Sequence, residues 1–338
     1  MYNSFMRLRH VLFFIALVFI TVFAIVQFGE LQNFMDIIKN INVFLLLIVF
    51  AIRYLAYFAN AKYFQVYLKN FNHPIPFKSI YKDVITMNFA NTVFPSGGIS
   101  GVALLRGQFR KHKVSAHTTT VAQAFWFGFT AVSFIVYLLL ALLMLFLSQK
   151  IEMVSFRLIM IALVFVLVGS IIVVGLLLNR KIAEKITYML TRPTNWILKK
   201  FKKHSLEREQ LHELNSKFYE TLYEFKNNWR MLIKPFLWCF TSMGFDLLSL
   251  YMVFIAFGVY PNPGVIIAAY LIALGLSVLS VFTSGIGVFE ISMVSILVGL
   301  GLSFDLSFSA SIVFRIIALW LFLPVGLYFY KRTMLDGK

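Results

Sequence analysis

The stretch Asn91–Gly101 reads Asn-Thr-Val-Phe-Pro-Ser-Gly-Gly-Ile-Ser-Gly and interrupts an apolar part of the chain. Proline lacks a backbone N–H and clustered glycine favours non-helical backbone, so this stretch predicts a break between two helices. Inside a bilayer, such a break leaves backbone polar groups without partners unless protein or water covers them. It therefore predicts either a close helix contact through small residues or a site that lines a hydrated cavity.

A similar stretch, Ser280–Gly287, occurs in the second half of the chain and reads Ser-Val-Phe-Thr-Ser-Gly-Ile-Gly. Paired breaks, one in each half, are typical of transporters whose substrate site lies where two repeats meet. We therefore predict a substrate site at the two breaks. Its residues from the breaks themselves are Asn91, Pro95, Ser96, Gly97, Gly98, Ser284, Gly285 and Gly287.

The composition is that of a membrane protein. The 338-residue chain is 60% hydrophobic and 13% charged, whereas soluble domains carry about 25% charged residues. The net charge of +17 comes mostly from basic residues between apolar runs, a distribution that orients membrane proteins and does not indicate nucleic-acid binding. The single cysteine, Cys239, excludes an internal disulfide, and no sequence motif predicts a metal site or a cofactor.

The hydropathy pattern predicts an all-α polytopic membrane protein in which residues 1–338 form a single integral membrane domain. Residues 60–82, which include Pro74 and Pro76, are predicted as a loop. The six predicted full spans are Val11–Phe28, Val43–Ala59, Thr118–Leu147, Phe156–Leu178, Pro235–Val259 and Leu306–Tyr330, and the two broken helix pairs are Asp83–Leu105 and Val265–Leu302.

Basic residues indicate the orientation of these spans. Of the 31 Lys and Arg residues, 26 fall in residues 1–10, 60–117, 179–234 and 331–338. Basic loops tend to remain in the cytoplasm, which predicts a multi-pass protein of the cell membrane with both termini cytoplasmic. Asp83–Leu105 then enters from the cytoplasm, whereas Val265–Leu302 is either a hairpin that enters from outside or two short spans.

This orientation makes the two halves of the chain, approximately residues 43–147 and 235–330, an inverted repeat. Arg53 is the eleventh residue of its apolar run from Val43, and Asp246 is the eleventh of its run from Phe236. The two residues therefore occupy equivalent places in the two halves, with opposite charge.

Residues 179–234 form the one sizeable polar segment, with 13 Lys and Arg residues. Its apolar residues recur at spacings of three and four, which predicts an amphipathic helix. The mixture of aromatic residues and lysine at Trp196–Lys203 is typical of membrane interfaces. This cytoplasmic segment is predicted to bind anionic lipid head groups; an orienting basic loop that packs on the bundle is the alternative.

Four ionisable residues lie inside apolar runs: Arg53, Asp246, Glu290 and Arg315, while Arg106 follows the first break. Each charge in a span costs about 2.5–3.5 kcal/mol on insertion scales. One interpretation is structural pairing of Arg53 with Asp246 and of Glu290 with Arg315. In the other, the arginines bind a phosphate head group while the acids bind a cationic head group or a coupling proton. Both interpretations remain open, and all five residues are included in the predicted site.

The two breaks resemble motifs of the lysylphosphatidylglycerol synthase/flippase transmembrane family, the membrane region of the multiple peptide resistance factor. The first break matches the family's Asn-x-x-x-Pro-x-Gly-Gly pattern. Gly285, Gly287 and Glu290 match its Gly-x-Gly-x-x-Glu pattern, although Thr283 stands where proline is common. The resemblance covers nearly the whole chain in size and hydropathy.

The resemblance implies lipid transport. In full-length family members the membrane region moves aminoacylated phosphatidylglycerol between leaflets, and a separate cytoplasmic domain makes that lipid from aminoacyl-tRNA. Because the chain ends eight residues after Tyr330, we expect a stand-alone form without that domain: a phospholipid translocase with no catalytic residues. The alternatives are a phosphatidylglycerol lysyltransferase, or a membrane subunit working with a separate synthase in cationic peptide resistance, and a scaffold that binds anionic lipid.

Overall fold

The fold is helical throughout the part of the chain that the computed structural model describes, which is residues 41–93, 99–148, 216, 219–220, 229–279, 287–320 and 322–335. The predicted spans Val11–Phe28 and Phe156–Leu178, and most of residues 179–234, lie outside these ranges. The helices are α1 (Val43–Asn70), α2 (Phe77–Val93), α3 (Ile99–Lys111), α4 (Ala116–Leu147), α5 (Arg230–Ala256), α6 (Pro263–Leu279), α7 (Val288–Gly299), α8 (Phe304–Arg315) and α9 (Leu323–Leu335), with a π-helical turn at Ile316–Trp320.

Among the described residues, four helical segments are long and apolar enough to cross a membrane: α1, α4, α5 and the combined segment Phe304–Arg332. At a rise of 1.5 Å per residue, α1 and α4 are about 42 and 48 Å long, more than the ~30 Å of hydrocarbon in a bilayer. Side chains of Asn42 and Ser115 accept hydrogen bonds from backbone N–H groups in the first turns of α1 and α4 and so begin these helices. The predicted polytopic helical class is confirmed at this level.

Helix α1 is longer than the hydropathy pattern indicates. The sequence predicts a span ending at Ala59 and a loop over residues 60–82, but α1 continues to Asn70 and α2 already begins at Phe77. The predicted loop is confirmed only at residues 71–76, which include Pro74 and Pro76, and it is shorter than predicted because the added turns of α1 carry one continuous buried face. That face consists of Tyr63, Phe64, Tyr67 and Leu68, all 0–1% exposed.

Helices α1 and α5 run antiparallel in the most extensive helix contact of the described chain. At one end the Asn42 N–H donates to the Ala256 carbonyl at 2.9 Å. At the other end the Asn70 amide donates to the Met231 carbonyl at 2.8 Å. We call the end where α1 finishes and α5 begins the basic end, because it carries Lys69, Lys78, Lys111, Lys113, Arg230, Lys331 and Arg332. The other is the opposite end.

Two pairs of short helices flank the breaks. Helix α2 packs on α3 and α6 packs on α7, and residues 94–98 and 280–286 between them lie outside the described residues. These helices are about 26, 20, 26 and 18 Å long, so none of them matches the ~30 Å of hydrocarbon alone. Helix α2 also packs on α9, and α6 packs on α4. Each broken pair therefore contacts the last helix of the other half of the chain.

The last predicted span, Leu306–Tyr330, is not one continuous α-helix. Helix α8 ends at Arg315, a π-helical turn follows, and α9 begins at Leu323 with Pro324 as its second residue. Proline supplies no N–H to the preceding turn, which explains an interruption here. Two other boundaries also differ from prediction, because Arg106–Lys111 belongs to α3 and Arg230–Lys234 belongs to α5.

The buried apolar residues in the described ranges form two clusters. One lies towards the basic end and combines side chains of α1, α2, α3 and the first part of α4. Cys239 belongs to it, buried as a free thiol 3.3 Å from the Thr130 hydroxyl. The other cluster is larger and combines α4, α5, α6, α7 and α8, with Val49 from α1. Arg53 and Arg315 contact the Phe314 and Phe289 rings of this second cluster.

Candidate functional site

Asn91 connects α2 to α3, the two helices that flank the first break. Its side-chain oxygen accepts a hydrogen bond of 2.8 Å from the Gly101 N–H, and the Ser100 hydroxyl donates to the Ala90 carbonyl at 3.0 Å. A Cβ atom at Gly101 would overlap the Asn91 amide, so glycine is required for this approach. The described contacts thus give Asn91 a structural function. The other predicted residues of this break, Pro95, Ser96, Gly97 and Gly98, lie outside the described residues.

Glu290 holds the backbone where the chain leaves the second break. Gly287 has φ +87°, a conformation that favours glycine, and its N–H donates to Glu290 Oε2 at 2.7 Å. Glu290 lies in the first turn of α7, where the helix dipole stabilises a negative charge. Ser284 and Gly285 lie outside the described residues. Of the second motif, Gly287 and Glu290 are therefore placed together.

Arg53 and Asp246 form a salt bridge between α1 and α5, so this predicted pair is confirmed. The Arg53 side chain is 10% exposed and the Asp246 side chain is 27% exposed. The guanidinium carbon of Arg53 lies 5.6 Å from the ring centroid of Tyr57 and 5.7 Å from that of Phe314. Both halves of the chain contribute to this pair, and aromatic faces cover the cation.

The second predicted pair is confirmed as well. Arg315 Nε lies 2.6 Å from Glu290 Oε1, and the two side chains are 16% and 20% exposed. The guanidinium carbon of Arg315 lies 4.1 Å from the ring centroid of Phe289, a cation–π contact. This pair joins the end of α8 to the start of α7. It is immediately followed in the chain by the π-helical turn, an irregularity that is frequent at functional sites.

Three aromatic side chains connect the two ion pairs. The Tyr270 ring makes edge-to-face contacts with Phe289 at 5.7 Å and with Phe314 at 5.9 Å between ring centroids. Phe289 and Phe314 stack at 6.5 Å. We call Tyr270, Phe289 and Phe314 the aromatic bridge, since Phe314 contacts Arg53 and Phe289 contacts Arg315. Sequence reasoning missed this bridge, because no local pattern distinguishes three of the 38 Phe and 15 Tyr residues.

The four paired charges form a site that sums to zero charge. A phosphate could replace a carboxylate beside either arginine, and an ammonium could replace an arginine beside either acid. Only a ligand that carries both a phosphate and an ammonium leaves no charge unpaired in low dielectric, which is the expensive outcome for buried ions. Arg106, which the sequence also predicted for the site, has an exposed side chain on α3.

Comparison with known proteins agrees with the motifs. The sequence profile of the family described as "Lysylphosphatidylglycerol synthase TM region" matches residues 10–326. A "UPF0104 membrane protein" of Methanothermobacter thermautotrophicus is 36% identical over 84 residues, which is 25% of this chain and 25% of that protein. The family and the apolar helices together indicate a multi-pass membrane protein with a membrane-lipid-related role. Because the family profile matches nearly the whole length of this chain, the chain belongs to the lysylphosphatidylglycerol synthase transmembrane-region family.

Proposed function

We propose that this protein is a phospholipid translocase whose head-group site is formed by the four paired charges and the aromatic bridge. The observation that carries this proposal is the pair of salt bridges inside helices that are otherwise apolar, with one of them beside a helix break. Charges are rare in membrane helices and mark transport pathways more often than not. Phospholipid head groups are the matching cargo, because they carry a phosphate and, when aminoacylated, an ammonium.

The Glu290–Arg315 pair is the better candidate for direct contact with the head group. It lies at a helix start, a helix end and a break, whereas Arg53–Asp246 lies between two long helices that pack along their whole length. A lipid phosphate would bind Arg315 and a lipid ammonium would bind Glu290. The Phe289 ring under the guanidinium holds Arg315 in place while its partner changes.

The inverted repeat is part of this proposal, and three contacts support it. Helices α1 and α5, which are equivalent in the two halves, pack antiparallel. A pseudo-two-fold axis in the membrane plane relates equivalent helices in this way. The contact of α2 with α9 has its counterpart in the contact of α6 with α4. The two halves could then rock about the α1–α5 pair and expose the head-group site to each side in turn.

We also propose the cell membrane as the location, with both termini and the basic end in the cytoplasm. The structure describes fourteen Lys and Arg residues. All of them except Arg53 and Arg315 lie near the basic end, either on α1 from residue 62 onwards or on the other helices and turns there. This asymmetry is what the positive-inside rule requires. The lipid-binding function predicted for residues 179–234 stays a prediction, since most of that segment lies outside the described residues.

Side-specific labelling checks this orientation. With Cys239→Ser as background, we expect Tyr260→Cys to react with a membrane-impermeant maleimide added outside intact cells. Tyr260 is 75% exposed and follows the end of α5 at the opposite end. Lys78→Cys is the matched position, exposed on the first turn of α2 at the basic end, and should react only after the membrane is opened. The reverse pattern would show that the orientation is inverted.

Translocation itself is measured with purified protein in liposomes. Fluorescent phosphatidylglycerol and its aminoacylated form are supplied in both leaflets, and dithionite added outside quenches only accessible label. We expect label from the inner leaflet to become accessible faster than in liposomes carrying an unrelated membrane protein. Rates equal to that control for both lipids would contradict the proposal. Formation of aminoacylated lipid from charged tRNA by the same protein would instead favour the lysyltransferase.

A further inference from the structure

A cavity of about 220 Å³ lies at the basic end, between α2, α3 and α9. Its charged lining consists of Lys82 and Asp83 from α2, Lys111 from α3 and Arg332 from α9. The Lys82 ammonium lies 5.7 Å from the ring centroid of Phe329, which places this charge against the wall formed by α9. Three permanent cations against one acid make the lining positive, so the cavity attracts anions.

Buried polar atoms in this lining have unused hydrogen-bonding capacity. Gln108 is 3% exposed, and neither its amide oxygen nor its amide nitrogen has a hydrogen-bond partner within the described residues. Asp83 Oδ2 is also buried without a partner there. Buried polar groups in proteins are nearly always hydrogen-bonded. A Gln108 amide without a hydrogen-bond partner in the lining of a cationic cavity therefore indicates a polar ligand.

We propose that this cavity binds the phosphate group of an anionic ligand, at a site distinct from the four paired charges. Lys82, Lys111 and Arg332 supply the charge, and the Ser79 hydroxyl and the Gln108 amide supply neutral donors. The phosphate belongs either to a lipid head group at the membrane surface or to a free anion in water. The proposal goes beyond translocation, since it uses no residue of the translocation site.

Asp83 makes this binding depend on pH. Burial raises the pKa of Asp83 to about 7, although Lys111 and Lys82 oppose the shift. Asp83 is the seventh residue of α2, which is not one of the candidate spans, and lies at the basic end. Below its pKa the carboxyl is neutral and can donate to an anion; above it the carboxylate repels one. His112 and Arg332 are the remaining titratable or charged groups in the lining.

Sulfate binding to the purified full chain in detergent tests the proposal, because sulfate stays a dianion between about pH 6 and pH 8. We expect calorimetry to show saturable binding that Lys82→Gln and Arg332→Gln each weaken by about tenfold. Lys78→Gln is the matched control: it removes the same charge from an exposed position on α2 outside the lining. Absence of saturable binding, or equal weakening by Lys78→Gln, would overturn the proposal.

Two further variants separate binding from folding and from pH. Gln108→Leu should raise the thermal unfolding midpoint, because it removes an unsatisfied amide, and should still weaken sulfate binding. Asp83→Asn should bind sulfate more tightly than the wild type near pH 8 and lose most of the pH dependence. Unchanged sulfate affinity in Gln108→Leu, or an unchanged pH slope in Asp83→Asn, would count against this cavity as the site.

Competition identifies the source of the phosphate. A short-chain phosphatidylglycerol, dihexanoylphosphatidylglycerol, below its micelle-forming concentration should displace sulfate if the natural ligand is a lipid head group. Displacement by inorganic phosphate but not by the short-chain lipid indicates a free anion. Failure of both to displace sulfate would contradict a phosphate site. None of these measurements depends on lipid transport, so their outcome is independent of the translocase proposal.

Discussion

Arg53→Met alone is expected to lower the free energy of unfolding by about 3–5 kcal/mol, because it leaves the Asp246 carboxylate without its partner in low dielectric. Asp246→Leu alone should have a similar effect, since it strands the Arg53 guanidinium between Tyr57 and Phe314. Methionine has roughly the volume of arginine, and leucine has the branched shape of aspartate. Thermal unfolding midpoints and folded yield of the purified variants, in one detergent, measure the effect.

The double variant Arg53→Met with Asp246→Leu decides whether the two residues act as a pair. Replacing both members of a buried ion pair by apolar groups of similar volume is often neutral or stabilising, so the double variant should recover most of the lost stability. Lys69→Met is the matched control, because it removes a cation from an exposed position on α1 and should change stability by less than about 0.5 kcal/mol. Losses that simply add in the double variant would show that the salt bridge does not hold α1 to α5.

Pairing was one of the two interpretations that the sequence allowed, and the partners could be named because the physics allows few combinations. An ionised side chain in an apolar run needs an opposite charge, and the apolar runs hold two cations and two acids. The equivalent positions of Arg53 and Asp246 then indicated which residues meet. Helix breaks were predictable for a similar reason, since proline and clustered glycine act through local backbone geometry.

The features that the sequence did not reveal depend on tertiary packing. Lysines at residues 62 and 69 suggested a loop, but the buried face of α1 outweighed them and extended the helix to Asn70. The aromatic bridge depends on where α6, α7 and α8 meet, which no local period specifies. The cavity at the basic end had a signal that was overlooked: polar residues at spacings of three and four on α2 and across the end of α3, namely Ser79, Lys82, Asp83, Gln108, Lys111 and His112.

Glu290→Gln is expected to keep the fold and to abolish most transport of aminoacylated phosphatidylglycerol. The glutamine oxygen can still accept the hydrogen bond from the Gly287 N–H, and Arg315 keeps its contact with the Phe289 ring. The loss of stability should therefore be about 1.5–3 kcal/mol, the size of a hydrogen bond to a charged group. What the substitution removes is the negative charge beside Arg315, which the proposed exchange of partners requires.

The lipid dependence of this variant distinguishes the two functions that remain open for the carboxylate. If Glu290 binds a head-group ammonium, Glu290→Gln should lose transport of aminoacylated phosphatidylglycerol by more than about tenfold and retain transport of phosphatidylglycerol. If Glu290 carries a coupling proton, transport of both lipids should be lost together, and transport should no longer respond to a pH gradient. Asp305→Asn is the matched control, an acid of the same half in the first turn of α8, and should transport both lipids normally. Wild-type rates for both lipids in Glu290→Gln would restrict Glu290 to capping α7 and holding Arg315.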